Sequence, residues 1–182
     1  IVGYPKLLLA SQITWLNFVT VPFLDVALAM EPKEKGLLSG HFKRPGRYLI
    51  DKLMTVRMVT MSLPMMFGTL FLFSLYAPEN MDKALTVSLT TLAVFQWFNA
   101  WNCRHEKESI FALGFLTNKY LIGATSIVVG LQLLAVYTPF LQSILHTTPL
   151  TFFEWAMIIP VAASIVVIEE ARKYWARKAT RT

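Results

Sequence analysis

The chain has 182 residues, of which 55% are hydrophobic and only 15% charged, with Phe 13 among them. Soluble domains average about 45–50% apolar and about 25% charged, so this balance excludes an ordinary water-soluble globular fold. The net charge of +6 comes from lysines and arginines gathered into separate segments, and the single cysteine, Cys103, excludes a disulfide framework within the chain.

In chain order, the N-terminal "IVGYPKLLL" has no methionine, no basic leader and no small-residue cleavage site. It reads as a chain cut from something longer rather than as a signal peptide. Apolar runs then cover about 7–30, 53–77, 84–103, 120–145 and 151–168. Each is long enough to cross a hydrocarbon core of about 30 Å, which needs roughly 20 helical residues. The expected fold class is all-α integral membrane: a five-transmembrane-helix bundle forming a single membrane domain over 1–182.

Orientation follows from the basic residues. Lys33, Lys35, Lys43, Arg44, Arg47, Lys52 and Arg57 follow the first run, Arg104, Lys107 and Lys119 follow the third, and Arg172, Lys173, Arg177, Lys178 and Arg181 fill the tail. The other side holds only Lys6 and Lys83, with short connections around Pro78–Lys83 and Thr138–Pro149. Positive charge marks the cytoplasmic side, so the N-terminus is external and the C-terminus cytoplasmic. The same rule accounts for the net charge without nucleic acid, because the basic clusters lack a folded platform or interleaved aromatics. The long polar connection Glu31–Lys52 carries Pro32, Gly36, Gly40, Pro45 and Gly46, which makes it irregular backbone on the cytoplasmic surface.

Polar residues inside the apolar runs are expensive and often functional. The first run, "LNFVTVPFLDVAL", holds Asn17, Thr20 and Asp25 with Pro22 between them. At about 100° per residue they border a broad face. Pro22 lacks an N–H and frees backbone oxygens near Phe18 and Val19. Freed carbonyls beside an amide, a hydroxyl and a carboxylate form the hard-oxygen set that alkali and alkaline-earth cations prefer. The other reading is a simple kink, with Asn17 and Thr20 bridging to neighbouring helices and Asp25 wet at the cytoplasmic edge.

In the third run Gln96 and Asn99 share a face at i, i+3, and Asn102 is expected nearer the interface. Amides serve as neutral oxygen ligands or as interhelical hydrogen-bonding groups, and the second use is the commoner one. Trp97 and Trp101 suit interfacial or packing positions. The methionines Met54, Met58, Met61, Met65 and Met66 suit flexible packing better than Cu(I) binding, since no intramembrane Cys or His partners them. His41, His105 and His146 lie in loops with no zinc spacing. Glu169 and Glu170 precede "ARKYWARK" and suit a solvated helix end with i, i+3 and i+4 pairing. No nucleotide-binding glycine motif and no nucleophile triad is present.

Three stretches carry a family resemblance. "QITWLNFVTVPFLDVALAMEPKEKGLL" resembles the sixth transmembrane helix and following loop of P-type cation ATPases of the sarcoplasmic-reticulum calcium-pump type. "FQWFNAWNCRHEKESIF" resembles the end of their eighth helix, with its N-A-x-N-x-R-x-E-x-x-S-x-F pattern. "NKYLIGATSIVVGLQLLAVYTPFLQSILHTTPLTFFEWAMIIPVAASIVVIEEARK" resembles their ninth and tenth helices. The resemblance runs over essentially the whole chain and keeps the order of elements.

It implies the C-terminal part, the sixth to tenth helices, of an ATP-driven cation pump. In that family the phosphorylated aspartate, the nucleotide and actuator domains and the first five membrane helices all precede this region. This segment alone is then not expected to hydrolyse ATP. ATP and Mg belong to the upstream domains, and no cofactor is expected here. The implied partners are the lipid bilayer, those upstream domains and the first five helices. The implied metal ligands are Asn17 and Thr20, with Gln96 at an eighth-helix position that carries Glu or Gln in relatives. The Glu31–Lys52 loop matches the connection that couples the phosphorylation domain to the membrane.

One departure stands out. The calcium-pump pattern is Asn-x-x-Thr-Asp, but this chain has Val21 in the aspartate position and Pro22 after it. Asp25, one turn further along and at a different azimuth, is then either a displaced ligand or a gate residue. The transported ion is calcium or another cation, and the expected location is the plasma membrane. A reading from another class is a stand-alone five-helix regulatory or scaffolding subunit without transport activity. A small channel fits less well, because sparse intramembrane charge argues against a continuous wet pore.

Overall fold

The computed structural model describes residues 6–31, 52–105, 109–110, 114 and 117–179. Most of the expected Glu31–Lys52 loop, with His41, lies outside the described residues. Among them every regular element is a helix. The first run is composite: α1 (Ala10–Trp15), a π-helical turn (Leu16–Thr20) and α2 (Val21–Ala29). There follow α3 (Lys52–Tyr76), α4 (Met81–Asn102), α5 (Lys119–Tyr137), the short α6 (Pro139–Leu145) and α7 (Phe152–Ala179).

Local chemistry sets several ends. The Asn80 side chain accepts from the Lys83 N–H at 3.0 Å and starts α4, and Asn118 does the same for α5 through Leu121 at 2.9 Å. The apolar run 120–145 is not one helix. Thr138 is extended (φ −92°, ψ 122°) and Pro139 restarts the chain as α6, since a residue before proline is driven out of the helical region. α6 ends on His146 in the left-handed conformation, φ 51°. α7 continues past residue 168 to Ala179, two turns and more beyond the expected end.

Ala10–Ala29, Met54–Tyr76, Lys119–Tyr137 and Phe152–Lys178 are long and apolar enough to cross a membrane. The chain is therefore a helical, multi-pass integral membrane protein. α4 is long enough but less apolar, and its place explains why. It packs against α3 and α7 and touches α2 and α5. Thr86, Ser88, Thr90 and Thr91 are buried along it among other helices, where small polar residues allow close approach.

Around α4, one core gathers Leu72, Val87, Phe95, Ile158 and Ile165, and a second gathers Leu24, Ala27, Ala100, Leu121 and Val128. The first requires glycine at Gly68 of α3: a Cβ there would lie 2.9 Å from both Phe95 Cζ and Val161 Cγ1. Met61 is buried in this core, whereas Met54, Met58 and Met66 are exposed.

Candidate cation site

The first run departs from α geometry where its polar residues lie. The Val21 N–H reaches back to Leu16 O, one residue further than an α-helix allows. It is thereby withheld from Asn17 O, and Pro22 has no N–H for Phe18 O. The carbonyls that lose their α-helical donors are those of Asn17 and Phe18, one residue earlier than the proline alone suggests. Thr20, on the π turn, is buried at 2% exposure. Asn17 is exposed, and its Nδ2 donates back to Ile13 O of its own helix at 3.0 Å.

Beyond the π turn, Asp25 lines a cavity of about 60 Å³ together with Val21, Leu24, Leu28, Gln96, Asn99, Ala100 and Cys103. The structure thus brings Asp25 and Gln96 to one cavity between α2 and α4, and leaves Asn17 and Thr20 outside its lining. Val21 and Asp25 are i, i+4 on regular helix and line the same cavity, so the carboxylate is displaced by a turn without leaving that face. Asn99 belongs to this lining too. Its i, i+3 relation to Gln96 was visible in sequence, but its amide reads there as interhelical glue. A carboxylate and two amides around a small cavity form an oxygen donor set suited to a hard cation. Among the described residues no three His, Cys, Asp or Glu side chains form a metal-binding group.

The α2 end of the run is held by two residues, Arg104 and Asn118. Arg104 sends Nε to Glu31 Oε1 and Oε2 at 3.1 Å and Nη2 to Oε1 at 2.8 Å. Asn118 Nδ2 donates to Glu31 Oε2 at 2.5 Å and to Ala27 O at 3.3 Å. Arg104 also donates to Gly114 O at 3.0 Å and to Thr117 Oγ1. Burial pushes the Glu31 carboxyl up, but hydrogen bonds from Arg104 and Asn118, the Arg104 charge and that of His105 outweigh it and hold it below its ordinary value.

The family model for "Cation transporting ATPase, C-terminus" matches residues 5–175. The chain belongs to this family of cation-transporting ATPase C-terminal regions. It is 32% identical over 181 residues to calcium-transporting ATPase 1 of Saccharomyces cerevisiae, covering 96% of this chain and 19% of the relative. Calcium-transporting ATPase type 2C member 2 of Mus musculus is 27% identical over 181 residues, covering 97% of this chain and 19% of its own length. A calcium-transporting ATPase of Bacillus subtilis is 29% identical over 166 residues, covering 90% of this chain and 18% of the relative. The chain therefore spans about a fifth of the length of these curated relatives.

Elsewhere in this ATPase region two expectations are corrected. Asn102 is not interfacial: it is fully buried, with Nδ2 donating to Ile165 O at 3.3 Å. Glu169 and Lys173 of α7 are not solvated either, although Glu169 keeps the expected i, i+3 pairing. Glu169 and Lys173 are both 0% exposed, Glu169 pairs with Arg172 at 2.8 Å and Arg57 at 3.4 Å, and Lys173 Nζ donates to Asn102 O at 3.1 Å. Glu170 accepts from the Ile110 N–H at 3.0 Å. The ends of α3, α4 and α7 converge here, so polar side chains that face water on an isolated helix become internal partners. The sequence anticipates the i, i+3 pair of Glu169 and Arg172 but not its burial, its link to Arg57 or the Glu31 clamp, because these depend on residues far apart in the chain.

Proposed function

We propose that this chain supplies part of the ion-binding site and translocation path of an ATP-driven calcium pump. ATP and Mg chemistry belongs to upstream domains, and the basic segments face the cytoplasm, which places the N-terminal end of α1 outside. Five crossings, α4 included, follow from that orientation. The observation that supports the site is the shared cavity of Asp25, Gln96 and Asn99, bounded on its α2 side by Val21.

Asp25 supplies the negative charge that a hard divalent ion requires, and Gln96 and Asn99 supply neutral oxygens. Thr20 and the carbonyls released at the π turn lie one to two turns further along the same run, as the next oxygens on the path. Asn17, exposed and folded onto its own helix, faces the space that the upstream helices occupy in this reading. The pump works by alternating access: phosphorylation upstream shifts the helices and changes the exposure and affinity of this patch.

The test is calcium-dependent phosphoenzyme formation from ATP by the intact polypeptide. Asp25→Asn, Gln96→Leu and Thr20→Val are expected to raise half-saturating calcium, and Met61→Leu, a near volume-conserving core change, is expected to leave it alone. Equal behaviour of all four variants would remove the site.

A further inference from the structure

We infer that Gln132, on α5, is a positioning residue for the cation site, fixing the register of the π turn. This rests on the function proposed above. The geometry starts at Trp15, the last residue of α1 before the turn. Its indole Nε1 donates to Gln132 Oε1 at 3.2 Å, and Gln132 Nε2 donates onward to Thr90 Oγ1 on α4 at 3.2 Å. Gln132 is 1% exposed and Thr90 0%. Spanning a membrane does not call for a buried amide in the middle of an apolar helix, and its desolvation is unfavourable unless both its ends are bonded.

The π turn is what this chain of bonds holds. Returning it to α geometry would move the Val21 N–H from Leu16 O to Asn17 O. The helix on one side would then rotate against the other by about 100° and shift by about 1.5 Å. Trp15 cannot follow such a rotation without leaving Gln132, and Gln132 cannot follow Trp15 without leaving Thr90. Each break strands a buried polar group. A second anchor lies near α1's start, where Gln12 Nε2 donates to Leu145 O at 2.9 Å. The far end is tied by Glu31 to Arg104 and Asn118.

Thr90 and Gln96 share helix α4. The bonds from Trp15 through Gln132 to Thr90 therefore set the first run's azimuth directly against the helix that carries the neutral site oxygens. With the far end also tied, the Val21–Asp25 face is kept on the cavity. Without Gln132, the π turn relaxes and that face turns away from Gln96 and Asn99.

The test measures half-saturating calcium for phosphoenzyme formation, its maximal level and thermal stability, in the intact polypeptide. Gln132→Leu and Trp15→Phe are each expected to raise half-saturation about tenfold with the maximal level within about twofold. The double variant is expected to be no worse than the worse single one, because both delete the same link. Trp15→Phe removes the donor N–H at a partly exposed position, where the smaller ring leaves less of a void than in a closed core, and decides the matter if Gln132→Leu does not fold. Unchanged half-saturation, or a loss confined to maximal level and melting temperature, makes Gln132 a packing residue and overturns the proposal. Asp25→Asn and Thr20→Val are measured alongside. If they shift half-saturation and the Gln132 and Trp15 variants do not, positioning alone has failed; if they shift nothing, the site has failed and takes this proposal with it.

Discussion

Arg104 and Glu31, 73 residues apart in sequence, form a two-pronged ion pair that joins the exit of α2 to the segment after α4. The Arg104 side chain is 1% exposed. The Glu31 side chain is 22% exposed. Removing Glu31 strands the buried Arg104 and approaches the cost of a broken buried pair, about 3–5 kcal/mol. Removing Arg104 costs less because water reaches Glu31, and removing both strands neither charge and is milder than either. Glu31→Gln and Arg104→Leu are expected to lower thermal stability by more than the Glu31→Leu, Arg104→Leu double variant does. Melting of the three variants in detergent checks this, and an additive double would show that the two residues act independently.

The same pair predicts a pH response. The folded carboxyl of Glu31 lies below its ordinary value of 4.5. A depressed acid stabilises the fold above its unfolded pKa, and that contribution disappears as pH falls through the folded value. Acid should therefore destabilise the wild type across and below about pH 4.5 more steeply than it does Glu31→Gln. Parallel melting curves for the two proteins between pH 3 and 6, a range set around the ordinary glutamate value, would show that the Glu31 charge contributes nothing.

Gly68 gives a packing test with an internal control. A methyl group there meets Phe95 and Val161 at 2.9 Å, while nothing lies within 4 Å of a Cβ built on Gly123. Overpacking a tight helix contact costs roughly 1–3 kcal/mol, and a relieved helix glycine gains up to about 1 kcal/mol. Gly68→Ala is thus expected to melt lower than wild type and Gly123→Ala at the same temperature or higher. Equal shifts would mean that α3 has room to move away from α4 and α7.

Which parts of this were legible in the sequence follows from the range of each interaction. Apolar runs and basic flanks marked the helices, because membrane thickness and charge act locally along a chain. Pro22 announced an irregular first run, but which N–H turned aside depends on how Trp15 and Leu16 are held, and that involves α5. Asp25 and Gln96 were legible as candidates; that they share a cavity was not, since it depends on how α2 lies on α4. Asn102, Glu169 and Lys173 read as wet because polar residues at a helix end are usually solvated, and only the convergence of α3, α4 and α7 buries them. The moderate hydropathy of α4 is the imprint of the same fact: a helix surrounded by helices needs less grease than one facing lipid.

The departure at Val21 can be turned into a gain of function. Val21 and Asp25 line one small cavity, so Val21→Asp would place a second carboxylate beside the first. Without a cation the two carboxylates repel each other. A divalent ion relieves that repulsion and gains a further charged ligand, so calcium affinity should rise by about tenfold or more, or about 1.4 kcal/mol. Asp25→Asn in the same background should remove most of the gain. The measurement is the calcium-induced rise in melting temperature of the intact polypeptide at pH 8. If Val21→Asp binds calcium no more tightly at pH 8 than wild type does, the cavity between α2 and α4 is not where the cation sits.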